Sequence, residues 1–212
     1  MNAPYHIPLQ AQPTLLPAAM PDEPCCGLSV GAYHAMLEAG ILASGDPVEL
    51  LEGWLVPKMT KGPKHEYVRR ALRRLLERLI TASYFVDEQG ALTTADSEPE
   101  PDLLVVRGSL ESFADRHPGA EDVALVVEIA DSSLQRDRTR KKRIYARAGL
   151  RVYWVVNVAA EEVEVYSRPN GESRSPAYQD RATFGIGAEV PVVIDGTEVG
   201  RIAVAALFGH AK

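Results

Sequence analysis

An α/β (α+β) fold is expected of this chain: a mixed β-sheet core flanked by helices. Two almost wholly apolar runs, VALVVEIA (123–130) and VYWVVNV (152–158), read as strands covered on both faces. The helical stretch between them is long enough for the crossover that parallel neighbours require. A third run, HEYVRRALRRLLERLI (65–80), repeats its apolar side chains at helical spacing.

The elements follow in order. Residues 1–27 carry Pro4, Pro8, Pro13, Pro17, Pro21 and Pro24 without periodicity, and read as an extended or disordered arm ahead of one domain over 28–212. SVGAYHAMLEAG opens with the capping residue Ser29 and closes at Gly40, which predicts a helix of about ten residues. VELLEGWLVPK (48–58) predicts a hairpin turning at Glu52-Gly53. After Pro63 comes the amphipathic helix, with Val68, Leu72, Leu75, Leu76 and Leu79 on one side and Arg69, Arg70, Arg73, Arg74 and Arg78 assigned to the other. Strands are expected at 84–88, 91–94, 101–106 and 123–130, a second helix over 136–148 ending at Gly149, strands at 152–158 and 161–167, and further short strands to the C-terminus.

The composition sets bounds on function. With 212 residues, 46% of them hydrophobic, the chain can fill one core. No apolar run approaches the roughly 18 residues that span a bilayer, and the N-terminus lacks a signal-peptide pattern. Cys25 and Cys26 are adjacent and have no histidine at ligand spacing, so plain thiols in a reducing cytoplasm are expected. The net charge of −6 argues against nucleic acid until its distribution is considered. Fifteen of the 23 basic residues fall within 61–78 and 136–151, against three acids there. Such stripes are either solvated helix faces or local phosphate contacts, because the near field follows local charge within a Debye length of ~10 Å.

Three residues stand out. Asp102 sits at the mouth of a strand in EPEPDLLVV (98–106) and is either an ordinary strand-end acid or a bound ligand. Glu128 lies inside VALVVEIA, where a carboxylate needs a partner: an arginine in a structural ion pair, or a cation shared with Asp102. Two carboxylates on neighbouring strands suit magnesium, which takes one or two carboxylates, waters and phosphate oxygens, and which polarises a phosphate and acidifies a bound water. On a wheel of about 100° per residue from Asp137, Lys141 falls near 40°, within the apolar stripe of Ile144, Tyr145 and Ala148, whereas Lys142 near 140° points to solvent. Lys141 either snorkels to the helix edge or reaches an anionic centre. From the wheel alone, Lys141→Met would leave stability unchanged or slightly higher.

The succession PDLLVV, VVEIADSS, DRTRKKRIYARAG and VYWVVNV resembles the Uma-two family of restriction endonucleases, within the PD-(D/E)XK nuclease superfamily. The resemblance covers roughly 29–206 and is most specific over 99–157. It implies a restriction-endonuclease-like nuclease domain and a Mg²⁺- (or Mn²⁺-) dependent enzyme cutting DNA phosphodiesters. Pro101-Asp102 would be the PD element and Glu128 the second acid. Position 130 is Ala130, so the superfamily's lysine is missing there and Lys141 on the following helix takes its place. Asp102 and Glu128 would bind the metal with Glu49 assisting, and Lys141 would orient the attacking water or stabilise the phosphorane charge. His65 matches a recurring histidine, though it also suits an ordinary helix start. Arg69, Arg70, Arg73, Arg74, Arg136, Arg138 and Lys142 would contact backbone phosphates, without sequence information. Cutting both strands of a duplex would favour a homodimer. The alternatives are a non-catalytic DNA-binding or assembly protein on the same scaffold, and an enzyme on another phosphate ester.

Overall fold

The computed structural model describes residues 26–43 and 45–210. The arm expected over 1–27 lies, but for its last two residues, outside the described residues, as does Cys25; Cys26 is a free, exposed thiol.

Helix α1 (Val30–Glu38) starts where the Ser29 hydroxyl accepts the Ala32 amide at 3.1 Å and stops ahead of Gly40, which takes a φ of 69°. A hairpin of β1 (Val48–Leu51) and β2 (Trp54–Pro57) follows. Its turn needs positive φ at both central residues, and Glu52 and Gly53 supply 51° and 79°. A Cβ at Gly53 would stand 3.1 Å from Gly27 Cα and 3.3 Å from Leu28 O, so the turn also needs glycine for space. Helix α2 (Pro63–Glu77) carries Pro63 in its first turn, where a missing N–H costs nothing.

The central sheet runs β3-β4-β5-β6-β7-β8: Tyr84–Glu88, Leu103–Arg107, Val123–Ala130, Val152–Asn157, Glu162–Pro169 and Tyr178–Phe184. Only β5 and β6 pair in parallel, through the helical crossover; the other neighbours are antiparallel. A second hairpin, β9 (Glu189–Ile194) with β10 (Thr197–Ala203), precedes the short α5 (Val204–Leu207). The strand expected at 91–94 is not formed. Those residues make turns and one isolated bridge, Thr93 to Gly119, because the Thr94 amide and hydroxyl both turn back onto the Ser97 carbonyl.

Side-chain alternation divides the core between the two sheet faces. On one, Val68, Leu72 and Leu76 of α2 and Val190, Val192 and Ile202 of the second hairpin bury Leu103, Val105, Leu125, Val127, Trp154 and Val156. On the other, the crossover helix brings Ile144 and Tyr145 onto Leu104, Val126, Tyr153 and Val155. The crossover differs from the regular helix expected over 136–148. It consists of α3 (Leu134–Arg136), a π-helical turn (Asp137–Lys141) and α4 (Lys142–Arg147). A π turn fits one extra residue, and here it buries both Asp137 and Lys141. No helix among the described residues is long and apolar enough to cross a membrane.

Candidate active site

The site forms where the polypeptide leaves the sheet. Leu103 of β4 is opposite Val127 of β5, and continuing that antiparallel register by one residue sets Asp102 opposite Glu128. Directly opposed residues share a face, with Cβ atoms about 4.5–5.5 Å apart. Both carboxylates are buried and line one pocket, together with Glu49 from β1, His65 from the first turn of α2, and Asp137 and Lys141 from the π turn. Five elements or connections therefore converge on it.

Each acid is held by one oxygen. Asp102 Oδ2 accepts the Ile129 amide at 2.8 Å and lies 3.0 Å from His65 Nε2. Its Oδ1 has no aligned hydrogen-bond donor; Lys61 Nζ is 2.9 Å away but off the hydrogen-bond direction. Burial pushes the Asp102 carboxyl upward. The hydrogen bond and charge of His65, the Lys61 ammonium and the Ile129 amide more than offset it and hold the group at about 2. Glu128 Oε1 accepts both the Lys141 ammonium at 2.9 Å and the Tyr145 hydroxyl at 2.6 Å, which leaves Oε2 for another ligand. Burial pushes Glu128 up to about 8. Lys141 opposes that rise, and the Asp137, Asp102 and Glu49 carboxylates reinforce it. Lys141 itself stays firmly protonated, since Glu128, Glu49 and Asp137 outweigh its burial.

Glu49 is tied down on every side. Its Oε2 is 3.2 Å from Lys141 Nζ and takes the Glu100 amide at 3.2 Å, and its Oε1 is 3.5 Å from Arg136. Asp137 accepts the Ser133 hydroxyl at 2.5 Å through Oδ2, its Oδ1 is buried without a partner, and burial raises its carboxyl.

The pocket suits a hard divalent cation. Its lining holds six carboxyl groups against four lysine or arginine side chains. Glu128 Oε2 has no protein partner, and Asp102 Oδ1 has only the Lys61 ammonium beside it, at 2.9 Å. Among the described residues no three carboxylate, imidazole or thiol side chains are already arranged as a metal shell. Magnesium requires less than that, since it is usually held by one or two carboxylates and keeps several waters.

The basic residues divide. Arg70 and Arg74 are exposed on α2, as expected of phosphate contacts. Arg69 is not on the solvent side: it continues the buried stripe of His65, Val68 and Leu72, and its guanidinium is neutralised by Glu66 and Glu88. Arg73 is shared between Glu77 and Glu88. Arg138 turns to the fully buried Glu164 on β7. Arg136 belongs to the pocket, bonding Pro57 O at 2.8 Å. Lys142 is half-buried rather than solvated, with Nζ 5.0 Å above the Tyr166 ring, and burial lowers its ammonium. Several pocket residues escaped the reading of the sequence, Asp137 and Lys61 among them. Asp137 shared the stripe with Lys141 and could have been found from the wheel; Lys61 comes from an irregular connection and gave no periodic signal.

Comparison with known proteins agrees with this architecture. The family model described as "Uma2: Putative restriction endonuclease" matches residues 31–193. No curated protein matches the chain. The crystal structure of a putative nuclease belonging to DUF820 from Anabaena variabilis ATCC 29413 superposes with a TM-score of 0.66 at 16% identity, covering 86% of this chain and 98% of that one. At that identity the likeness concerns the fold alone.

Proposed function

The chain belongs to the Uma2 family of putative restriction endonucleases, and from that membership we propose that it is a magnesium-dependent endonuclease hydrolysing DNA phosphodiester bonds in the pocket of Asp102, Glu128 and Lys141. The observation that carries the reading is that Asp102, Glu128 and Lys141 line one pocket, with the buried lysine 2.9 Å from the second acid. Asp102 Oδ1 and Glu128 Oε2 would hold the ion, and Glu49 would act through water. When bound, Mg²⁺ polarises the scissile phosphate and acidifies a coordinated water.

The residues of the chain do the rest. Three carboxylates fix Lys141 and keep it charged, so its ammonium is a preorganised donor for charge developing on the phosphate. Tyr145 holds Glu128 Oε1 in place from the opposite side. His65 and the Ile129 amide fix the rotation of Asp102 about its side chain. Arg70 and Arg74 lie on α2, the helix whose first turn carries His65, and would meet the backbone of a bound duplex.

The test pairs binding with cleavage. Asp102→Asn and Glu128→Gln should abolish Mg²⁺-dependent nicking of plasmid DNA and weaken Mn²⁺ binding while the circular dichroism spectrum is retained. Undiminished cleavage by either variant would remove this pocket from the reaction. DNA binding with no cleavage by the wild-type protein would leave a non-catalytic binder on the same scaffold.

A further inference from the structure

Lys61 has no place in the reading above, yet it is the charged group nearest the unfilled oxygen of Asp102. Its ammonium is 2.9 Å from Asp102 Oδ1, while both hydrogen bonds to that carboxylate fall on Oδ2. The side chain is one-third exposed and comes from the irregular segment between β2 and α2. Lys141 differs in every respect: it is 5% exposed, anchored in the π turn, and shared by two carboxylates. Of the pocket's three lysines, Lys141 is fixed, Lys58 is held by Glu100 at 2.7 Å, and Lys61 is on a flexible stem at the mouth.

We propose that Lys61 is a resident counter-ion for Asp102 that an incoming divalent cation must displace, which releases its ammonium at the mouth of the pocket to receive a substrate phosphate. The inference rests on the proposed metal site. A magnesium ion bound to Oδ1 at about 2.1 Å could be no farther than about 5 Å from an ammonium 2.9 Å from the same oxygen. At that range a doubly charged ion and an ammonium repel strongly enough to drive apart any pair that is free to move. Lys61 is free to move; Lys141, buried and doubly paired, is not. Metal loading and the placing of a positive charge at the entrance are thereby coupled: the acid that gains the metal gives up the lysine. Before loading, Lys61 also neutralises a carboxylate that has few other ways to be neutralised in a buried site.

The experiment is calorimetric titration with Mn²⁺ alone, without DNA, on the full chain as wild type, Lys61→Gln, Lys61→Arg and Asp102→Asn. Lys61→Gln should bind Mn²⁺ about two- to fivefold more tightly, on the scale of one partly exposed ion pair, and Lys61→Arg should bind close to wild type because it keeps the charge. Asp102→Asn should lose the binding. If Asp102→Asn loses binding while Lys61→Gln binds no more tightly than wild type, the displacement is wrong and the metal site stands. If Lys61→Arg gains as much as Lys61→Gln, a loosened loop rather than charge is responsible and the inference falls. If Asp102→Asn binds as well as wild type, or wild type binds nothing, the site itself is overturned and the displacement with it.

Discussion

Lys141 Nζ lies 2.9 Å from Glu128 Oε1 and 3.2 Å from Glu49 Oε2, and all three side chains are buried. A lysine so placed cannot be exchanged for methionine at no cost, as the helical wheel alone would suggest, because two buried carboxylates would lose the cation they share. Lys141→Met should lower turnover by about 10²–10³ and also destabilise the metal-free protein by roughly 3–5 kcal/mol. Adding Glu128→Gln should return much of the stability and none of the activity. A thermal unfolding cycle over the two single variants and the double variant checks this through the sign of the coupling.

The pH dependence of stability follows from Glu128. Its folded pKa, about 8, is above the ordinary value of 4.5, so between these values the folded state holds a proton that the unfolded state has released. Glu128 therefore stabilises the metal-free fold least at the alkaline end, and its contribution falls as pH rises from about 4.5 to about 8, with a slope of at most about 1.4 kcal/mol per unit. Chemical denaturation of wild type and Glu128→Gln at pH 5, 6, 7 and 8 isolates the term: wild type should lose ground to the variant at each step. Asp102 acts oppositely. Its pKa is held at about 2, below the ordinary 3.8, so its contribution is present above pH 4 and is lost as pH falls toward 2.

Glu164 should be the costliest acid outside the pocket. It is fully buried on β7 and engages Arg138, Arg181 and the Tyr166 hydroxyl. Glu164→Ala leaves Arg138 only its 3.4 Å contact with Glu162 and takes the acceptor from the Tyr166 hydroxyl, and should cost about 1–3 kcal/mol. Arg181→Ala, at a side chain half in solvent, should cost less than about 1 kcal/mol. Equal costs in urea unfolding would mean that the buried end of the cluster has been misjudged.

On α2 the arginines should separate by assay. Arg70→Ala and Arg74→Ala should each reduce the salt dependence of DNA binding by about one phosphate contact and leave the melting temperature unchanged. Arg69→Ala should do the reverse, because its guanidinium offsets Glu66 and Glu88 inside the fold. Fluorescence anisotropy over a salt series, set beside thermal melts, distinguishes the two behaviours.

What the residues disclosed depended on periodicity. The apolar strands β5 and β6, their parallel pairing, the Glu52-Gly53 turn and the stripe of α2 could all be read because each repeats a pattern or carries a turn residue that backbone geometry demands. Asp102, Glu128 and Lys141 could be singled out as charges in apolar surroundings. The π turn could not, since a wheel at fixed pitch has no means of showing a change of pitch. The interruption at 91–94 was also hidden, because Thr93 and Thr94 favour strands and it is their amide and hydroxyl bonds, to Pro118 O, Glu98 and the Ser97 carbonyl, that hold them out of one. Lys61 and the fate of Arg69 and Arg138 depended on partners far away in the chain, which local pattern does not encode.

The π turn at Asp137–Lys141 has a consequence for how this protein can change by inheritance. The turn holds one residue more than an α-helical turn, so loss of a single codon inside it, Thr139 for example, would return the crossover to an uninterrupted α-helix while the flanking residues kept their faces. Ile144 and Tyr145 would keep their seats on the sheet, and the change would be confined to the spacing between Asp137 and Lys141. The scaffold can therefore gain or lose one residue at the point where the polypeptide passes the pocket.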